Sequence, residues 1–143
     1  MNVVLDSSVI AKWYFEEGAE EGILSIKLRN QHIQNQITIF APTFLLLELG
    51  NIFLNKKIAS QQFFDENVPQ LLDFGIKFTE IQKTLLQKSF TLAQKYKITF
   101  YDATYVALAQ TLDCQFITAD KKLADITKNL KFVKLLSPIS IYK

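Results

Sequence analysis

Hydrophobic and polar positions change period several times along the chain. Val3, Val4 and Leu5 are apolar at consecutive positions, the pattern of a short strand covered on both faces, and predict a strand over Asn2–Leu5. Ser8–Phe15 reads as one or two helical turns. Over Glu20–Gln34, Ile23, Ile26 and Ile33 are separated by polar residues as on one face of an amphipathic helix. Thr38–Ala41 predicts a second strand, stopped by Pro42, with Thr43 as the N-cap of a helix running to about Lys56. Ser60 caps a further helix that Pro69 disturbs and Gly75 ends. Alternation over Ile76–Ile81 predicts a third strand. Lys83–Tyr96 puts Leu85, Ser89, Leu92 and Tyr96 on one helical face, and Asp102–Thr111 is a helix rich in small residues. Gln115–Thr118, Lys121–Lys128 and Phe132–Leu136 then read as strand, helix and strand.

Strands that alternate with helices predict an α/β domain with a mostly parallel sheet. In such sheets ligands sit beyond the carboxyl ends of the strands, at the point where strand order reverses. Residues just after a strand are therefore the first place to look for chemistry. The length, 143 residues, fits one domain, and a 49% hydrophobic content supports a sizeable core. The single cysteine, Cys114, excludes an internal disulfide and fits a reducing compartment. An acid at position 6 comes too early for a secretory signal. The longest apolar stretch, Phe44–Leu54, is interrupted by Glu48, Gly50 and Asn51 and is too short to span a bilayer. A cytoplasmic protein without membrane contact is expected.

Four acids draw attention. Asp6 follows the first strand, Asp120 follows the strand ending at Thr118, and Asp102 opens a helix after "ITFY". Each, taken alone, reads as a helix N-cap, a role that leaves one carboxylate oxygen spare. Glu48 is different. It lies mid-helix in "FLLLELGNIF", with Phe44, Leu45 and Ile52 one turn away. An acid on an apolar face is costly to bury without a partner. It turns to solvent, pairs with a lysine, or points into an acidic cleft holding a metal ion. Asn51, one turn on, reaches either a ligand or the chain entering such a cleft. Two carboxylates about 4 Å apart repel by about 4 kcal/mol at an effective dielectric near 20, which a divalent cation offsets. An all-oxygen donor set favours Mg2+ or Mn2+ over Zn2+. With the four acids gathered in one pocket, sixteen Lys and Arg face ten remaining Asp and Glu on a chain of net charge +2, leaving a positive body around a negative site.

The stretches "VVLDSSVIAKWYF", "LLLELGNIF", "YDATYVALAQ" and "FITADKKL" resemble, in order and spacing, the PIN-domain family, and in particular its VapC-type toxin ribonucleases. The resemblance implies a three-layer α/β/α sandwich around a mostly parallel central sheet. It implies an acidic cluster that binds Mg2+ or Mn2+ and hydrolyses RNA to 5′-phosphate and 3′-hydroxyl ends. Carried over by motif, Asp6, Glu48, Asp102 and Asp120 are the four acids, with the first three as the core of the site. Ser7 and Thr118 match hydroxyl positions that orient acids or water, and Asn51 matches the polar residue after the glutamate. The same family implies a homodimer and a small antitoxin that lays a helix or tail in an apolar groove; residues of Ile23–Leu28 and Phe44–Phe53 line that groove or belong to the core.

Further residues carry two readings each. Lys12, in the "KW" pair that matches the same subgroup, touches an acid or phosphate, or is a solvated lysine. Lys121 and Lys122 meet the RNA backbone or form the exposed face of a short helix. Trp13 is expected in the core or groove, Glu16 and Glu17 at a solvated end, His32 on the surface, and Cys114 as a small buried hydrophobe. Three other functions compete: a stand-alone PIN nuclease in RNA processing, a PIN domain that only binds a partner, and a Mg2+-binding signalling module that cuts nothing. The last lacks its usual paired acids, since Ser7 and Ser8 follow Asp6 and no acid precedes it. The presence of all four acids argues against a degenerate domain.

Overall fold

The computed structural model describes residues 1–15, 19–57 and 59–142; Glu16 and Glu17, read above as a solvated end, lie outside them. Five strands form the sheet: β1 (Asn2–Leu5), β2 (Thr38–Pro42), β3 (Lys77–Thr79), β4 (Gln115–Thr118) and β5 (Val133–Leu135). Their order is β3-β2-β1-β4-β5, and every adjacent pair is parallel. Val3, Val4 and Leu5 are all buried, as are Phe116, Ile117 and Thr118. Successive strand residues point to opposite faces, so the two central strands are covered on both sides and the molecule has three layers, helix, sheet and helix.

The helices are α1 (Ser7–Ile10), α2 (Ala19–Ile33), α3 (Leu45–Leu54), α4 (Gln61–Asn67), α5 (Lys83–Tyr96), α6 (Phe100–Thr111), α7 (Lys121–Ile126) and α8 (Pro138–Tyr142). A 3-10 turn, Ala11–Trp13, extends α1. Helix α6 packs on β1, β2 and β4, and α5 packs on α6. That central position explains its composition: every residue from Ala103 to Ala109 is buried, and the alanines let the helix sit close to both neighbours. Helix α5, one layer further out, buries only the face carrying Leu85, Ser89 and Leu92. It ends at Lys97, whose φ of 53° reverses the chain. Trp13 is buried and donates from Nε1 to the Ser25 carbonyl at 2.9 Å, while Ser25 Oγ donates to the Val9 carbonyl at 2.6 Å. These bonds clamp the segment after β1 onto α2.

Three expectations are corrected. Thr43 does not cap α3: the cap position is Phe44, which makes no side-chain capping bond, and the Thr43 N–H instead donates to the Thr79 carbonyl, continuing the β2–β3 ladder. Helix α6 starts at Phe100, capped by Thr99, so Asp102 is its third residue rather than its opening cap. His32 is buried, not on the surface. Its Nδ1 accepts from the Ile39 N–H at 3.3 Å and its Nε2 lies 3.1 Å from the Phe74 carbonyl, which makes Nε2 the protonated nitrogen. Ser60 does cap α4, accepting from the Phe63 N–H at 3.1 Å. Among the described residues no helix is long and apolar enough to cross a membrane.

Candidate active site

From β1 the chain goes to β2 on one side, and β4 later inserts on the other. The crevice beyond the carboxyl ends of β1 and β4 is thus the switch point of the sheet. Leu5 is in register with Ile117, so Asp6 emerges beside Thr118. Asp6 caps α1, accepting at Oδ1 from the Val9 N–H at 3.2 Å. Ser8 Oγ donates to Oδ1 and Thr118 Oγ1 to Oδ2, each at 2.5 Å. The two hydroxyls are themselves fixed: the Ala119 N–H donates to Ser8 Oγ at 3.0 Å and the Asp120 N–H to Thr118 Oγ1 at 3.1 Å. Asp120 caps α7 through the Leu123 N–H at 3.0 Å. For Asp6 and Asp120 the capping role is therefore real, and it orients each carboxylate.

Glu48 comes from the first turn of α3 and is half-buried. Tyr105, one turn after Asp102 on α6, donates its hydroxyl to Glu48 Oε1 at 2.6 Å, and the Ser7 side chain hydrogen-bonds the same carboxylate. Asp102 is held by its own N–H, which donates to Thr99 Oγ1 at 3.1 Å. The acidic residue on an apolar helix face thus has hydroxyl partners rather than a lysine.

Burial pushes the Asp6 carboxyl up to about 6, against the pull of the Ser8, Thr118 and Val9 hydrogen bonds, and the charge of Asp102 adds to the rise. Burial also raises Glu48; the Tyr105 hydrogen bond opposes it, and the Asp102 charge again adds. Asp102 is raised by burial, opposed by the hydrogen bond to Thr99, with the charge of Asp120 adding. Each of these three acids therefore feels a neighbouring carboxylate: Asp6 and Glu48 feel Asp102, and Asp102 feels Asp120.

Among the described residues no three His, Cys, Asp or Glu side chains are already arranged to hold a metal ion. The donor set nevertheless fits a hard cation. It is all oxygen, it is drawn from four different elements around one crevice, and it becomes more favourable when positive charge arrives. Glu48 and Asp102 are half-buried, with a share of their surface still open to a ligand.

The other predicted residues fall around this centre. Ser7 holds Glu48 rather than Asp6; Ser8, which sequence reasoning passed over, holds Asp6. Lys12 forms an ion pair with Glu21 at 3.0 Å, with its side chain 11% exposed, so it is not a solvated lysine. It lines a cleft of about 360 Å3 together with Ser8, Lys56 and Asp120. Lys121 and Lys122 are exposed on the first turn of α7. Asn51 is exposed and lines a different groove, about 470 Å3, with Leu46, Leu47, Leu54 and Phe64 of α3 and α4. In the stretch Phe44–Phe53, Leu45, Leu49 and Phe53 are core, and Leu47 is exposed. Tyr105 was also missed. Its signal was a hydroxyl at helical spacing from Asp102 inside an otherwise apolar run, "ATYVALA".

The sheet is parallel and five-stranded, with acids beyond its strand ends, and residues 3–129 match the PIN domain family. The chain belongs to that family. It is 28% identical to ribonuclease VapC1 of Mycobacterium tuberculosis over 126 residues, 85% of this chain and 87% of that protein. Over 54 residues it is 41% identical to ribonuclease VapC3 of Pyrobaculum aerophilum, a match covering 38% of this chain and 37% of that protein. Two solved structures share the fold. One is Mycobacterium tuberculosis VapC20, a sarcin-ricin loop cleaving toxin (TM-score 0.69, 15% identity, 94% of this chain and 99% of that one). The other is a toxin–antitoxin complex from Klebsiella pneumoniae (TM-score 0.54, 18% identity, 85% and 89%).

Proposed function

We propose that this protein is a Mg2+- or Mn2+-dependent endoribonuclease and the toxin of a VapBC-type pair, acting in the cytoplasm, with residues 1–143 forming one domain. What supports this reading is that three acids at the carboxyl ends of the strands are raised by burial and each by a neighbouring carboxylate: Asp6 and Glu48 by Asp102, and Asp102 by Asp120. Asp6, Glu48 and Asp102 would hold the ion, with Asp120 as the fourth acid. A divalent ion bound there supplies a water acidified for attack and positive charge for the phosphoryl oxygens. The protein's own part is orientation. Ser8 and Thr118 fix both oxygens of Asp6, and Ser7 fixes Glu48. Lys121 and Lys122, exposed beside Asp120, would meet the RNA phosphate chain, with Lys12, paired to Glu21, lining the adjoining cleft.

The VapC ribonucleases among its relatives and the toxin–antitoxin complex among its structural neighbours support an antitoxin partner for this chain too. The apolar groove between α3 and α4, where Leu47 is 75% and Leu54 85% exposed, suits an antitoxin segment. A homodimer is the proposed assembly. The test is direct: purified protein incubated with total RNA cleaves it with Mg2+ or Mn2+, stops in EDTA, and leaves 5′-phosphate ends. Asp6→Asn keeps the fold and loses cleavage. An Asp6→Asn protein that cuts as fast as the native one overturns the site assignment.

A further inference from the structure

We infer that Tyr105 is the positioning residue of this site: its phenol ties Glu48 on α3 to α6, the helix that carries Asp102, and so sets the spacing of the acids. The inference rests on the metal-site reading above. Tyr105 is 1% exposed, and its ring leaves it little freedom. Phe116 of β4 stacks on it at 5.8 Å and 6°, and Phe44 meets it edge-on at 5.3 Å and 85°. Both neighbours belong to the apolar frame, so the hydroxyl is delivered to one point. There it donates to Glu48 Oε1 at 2.6 Å. Ser7 stands beside the same carboxylate and favours its charged form.

The bond joins two chain segments. Glu48 lies on α3, and Tyr105 lies on α6, one turn from Asp102. A phenol is suited to the task. It is neutral, so it adds no charge to a crowded acidic site, and burial together with the charge of Glu48 holds its own ionisation well above the usual range. A lysine in its place would neutralise Glu48 and compete with an incoming cation. The buried hydroxyl thus costs nothing in packing, since its partners are present, and it fixes a side chain that would otherwise sample several rotamers.

Tyr105→Phe removes the hydroxyl and keeps the ring. The native protein and this variant are titrated with Mn2+ by calorimetry. Their melting temperatures are measured in EDTA, alone and in a Glu48→Leu background. The expected result is a Mn2+ affinity about 10–100-fold weaker in Tyr105→Phe, with RNA affinity in EDTA unchanged. Without metal, Tyr105→Phe lowers the melting temperature by about 5 °C in the native background. In the Glu48→Leu background, where the phenol has lost its acceptor, it causes no drop. Equal Mn2+ affinity in Tyr105→Phe and the native protein overturns the inference. So does an equal drop in both backgrounds, which would show that the hydroxyl does not act through Glu48. If the native protein binds no Mn2+, the metal-site reading fails, and the melting comparison alone still decides whether Tyr105 holds Glu48.

Discussion

Asp6→Asn should make the metal-free protein more stable while removing its activity. Asp6 is 4% exposed, and its carboxyl is lifted from 3.8 to about 6. The folded protein therefore binds this proton more tightly than the unfolded chain does. The stabilisation is complete below pH 3.8 and is lost as pH rises through about 6. At neutral pH the buried negative charge costs about 3 kcal/mol. Asparagine has nothing to ionise, and the existing hydrogen bonds accommodate it. Its oxygen accepts from Ser8 and the Val9 N–H, and its amide faces Thr118 Oγ1, which turns to accept. In EDTA at pH 7.5 the variant should melt about 5–10 °C above the native protein, and at pH 4 the gap should close. Adding Mn2+ should raise the native melting temperature and leave the variant unchanged, reversing the order at neutral pH. Differential scanning calorimetry across this pH series reads all three outcomes. A variant that melts at or below the native protein in EDTA at pH 7.5, with the same pH dependence, refutes the claim that Asp6 is held at a cost for the sake of a ligand.

Other substitutions probe the surroundings. Ser8→Ala removes one donor to Asp6 and the acceptor of the Ala119 N–H, and should cost about 1–3 kcal/mol in urea denaturation while slowing RNA cleavage. Ser7→Ala, by contrast, should weaken Mn2+ binding at saturating RNA with a smaller loss of stability, because its partner Glu48 is only half-buried. His32→Leu leaves the Ile39 N–H and the Phe74 carbonyl unpaired in the interior and should destabilise by about 2–4 kcal/mol without changing metal affinity. Replacing both Lys121 and Lys122 by alanine should weaken RNA binding alike for all sequences and lower the slope of log affinity against log salt by about 1–1.5, read by fluorescence anisotropy of the Asp6→Asn protein.

How far the molecule was legible in its sequence depends on the range of the interaction concerned. β1, β4 and α5 have the bounds expected of them, because apolar runs and helical spacing are local signals. The parallel sheet followed from the alternation of elements. Features that depend on a distant partner were not legible. Thr43 has the chemistry of a cap, but Thr79 takes its N–H into the ladder. His32 looks like a surface residue until Ile39 and Phe74 close on its two nitrogens. Ser7 and Ser8 are adjacent and chemically alike, and only the start of α1 decides that one turns to Glu48 and the other to Asp6. The four acids drew attention because Glu48 had no local explanation. Tyr105 did not, because a tyrosine in an apolar helix face is ordinary.

The central place of β1 has a consequence for the life of the chain. β1 pairs on one side with β2, which follows it closely in the chain, but its other edge waits for β4. The bond from Thr118 to Asp6 joins residues 112 apart in sequence. Such long-range closure is late and slow in folding. A nascent chain that ends before β4 carries Asp6, Glu48 and Asp102 with no crevice to gather them, so the proposed cutting site should come into being only once β4 has been made. Chains stopped early should spare the cell that makes them, which growth of cells expressing a protein ended after Leu112 will test.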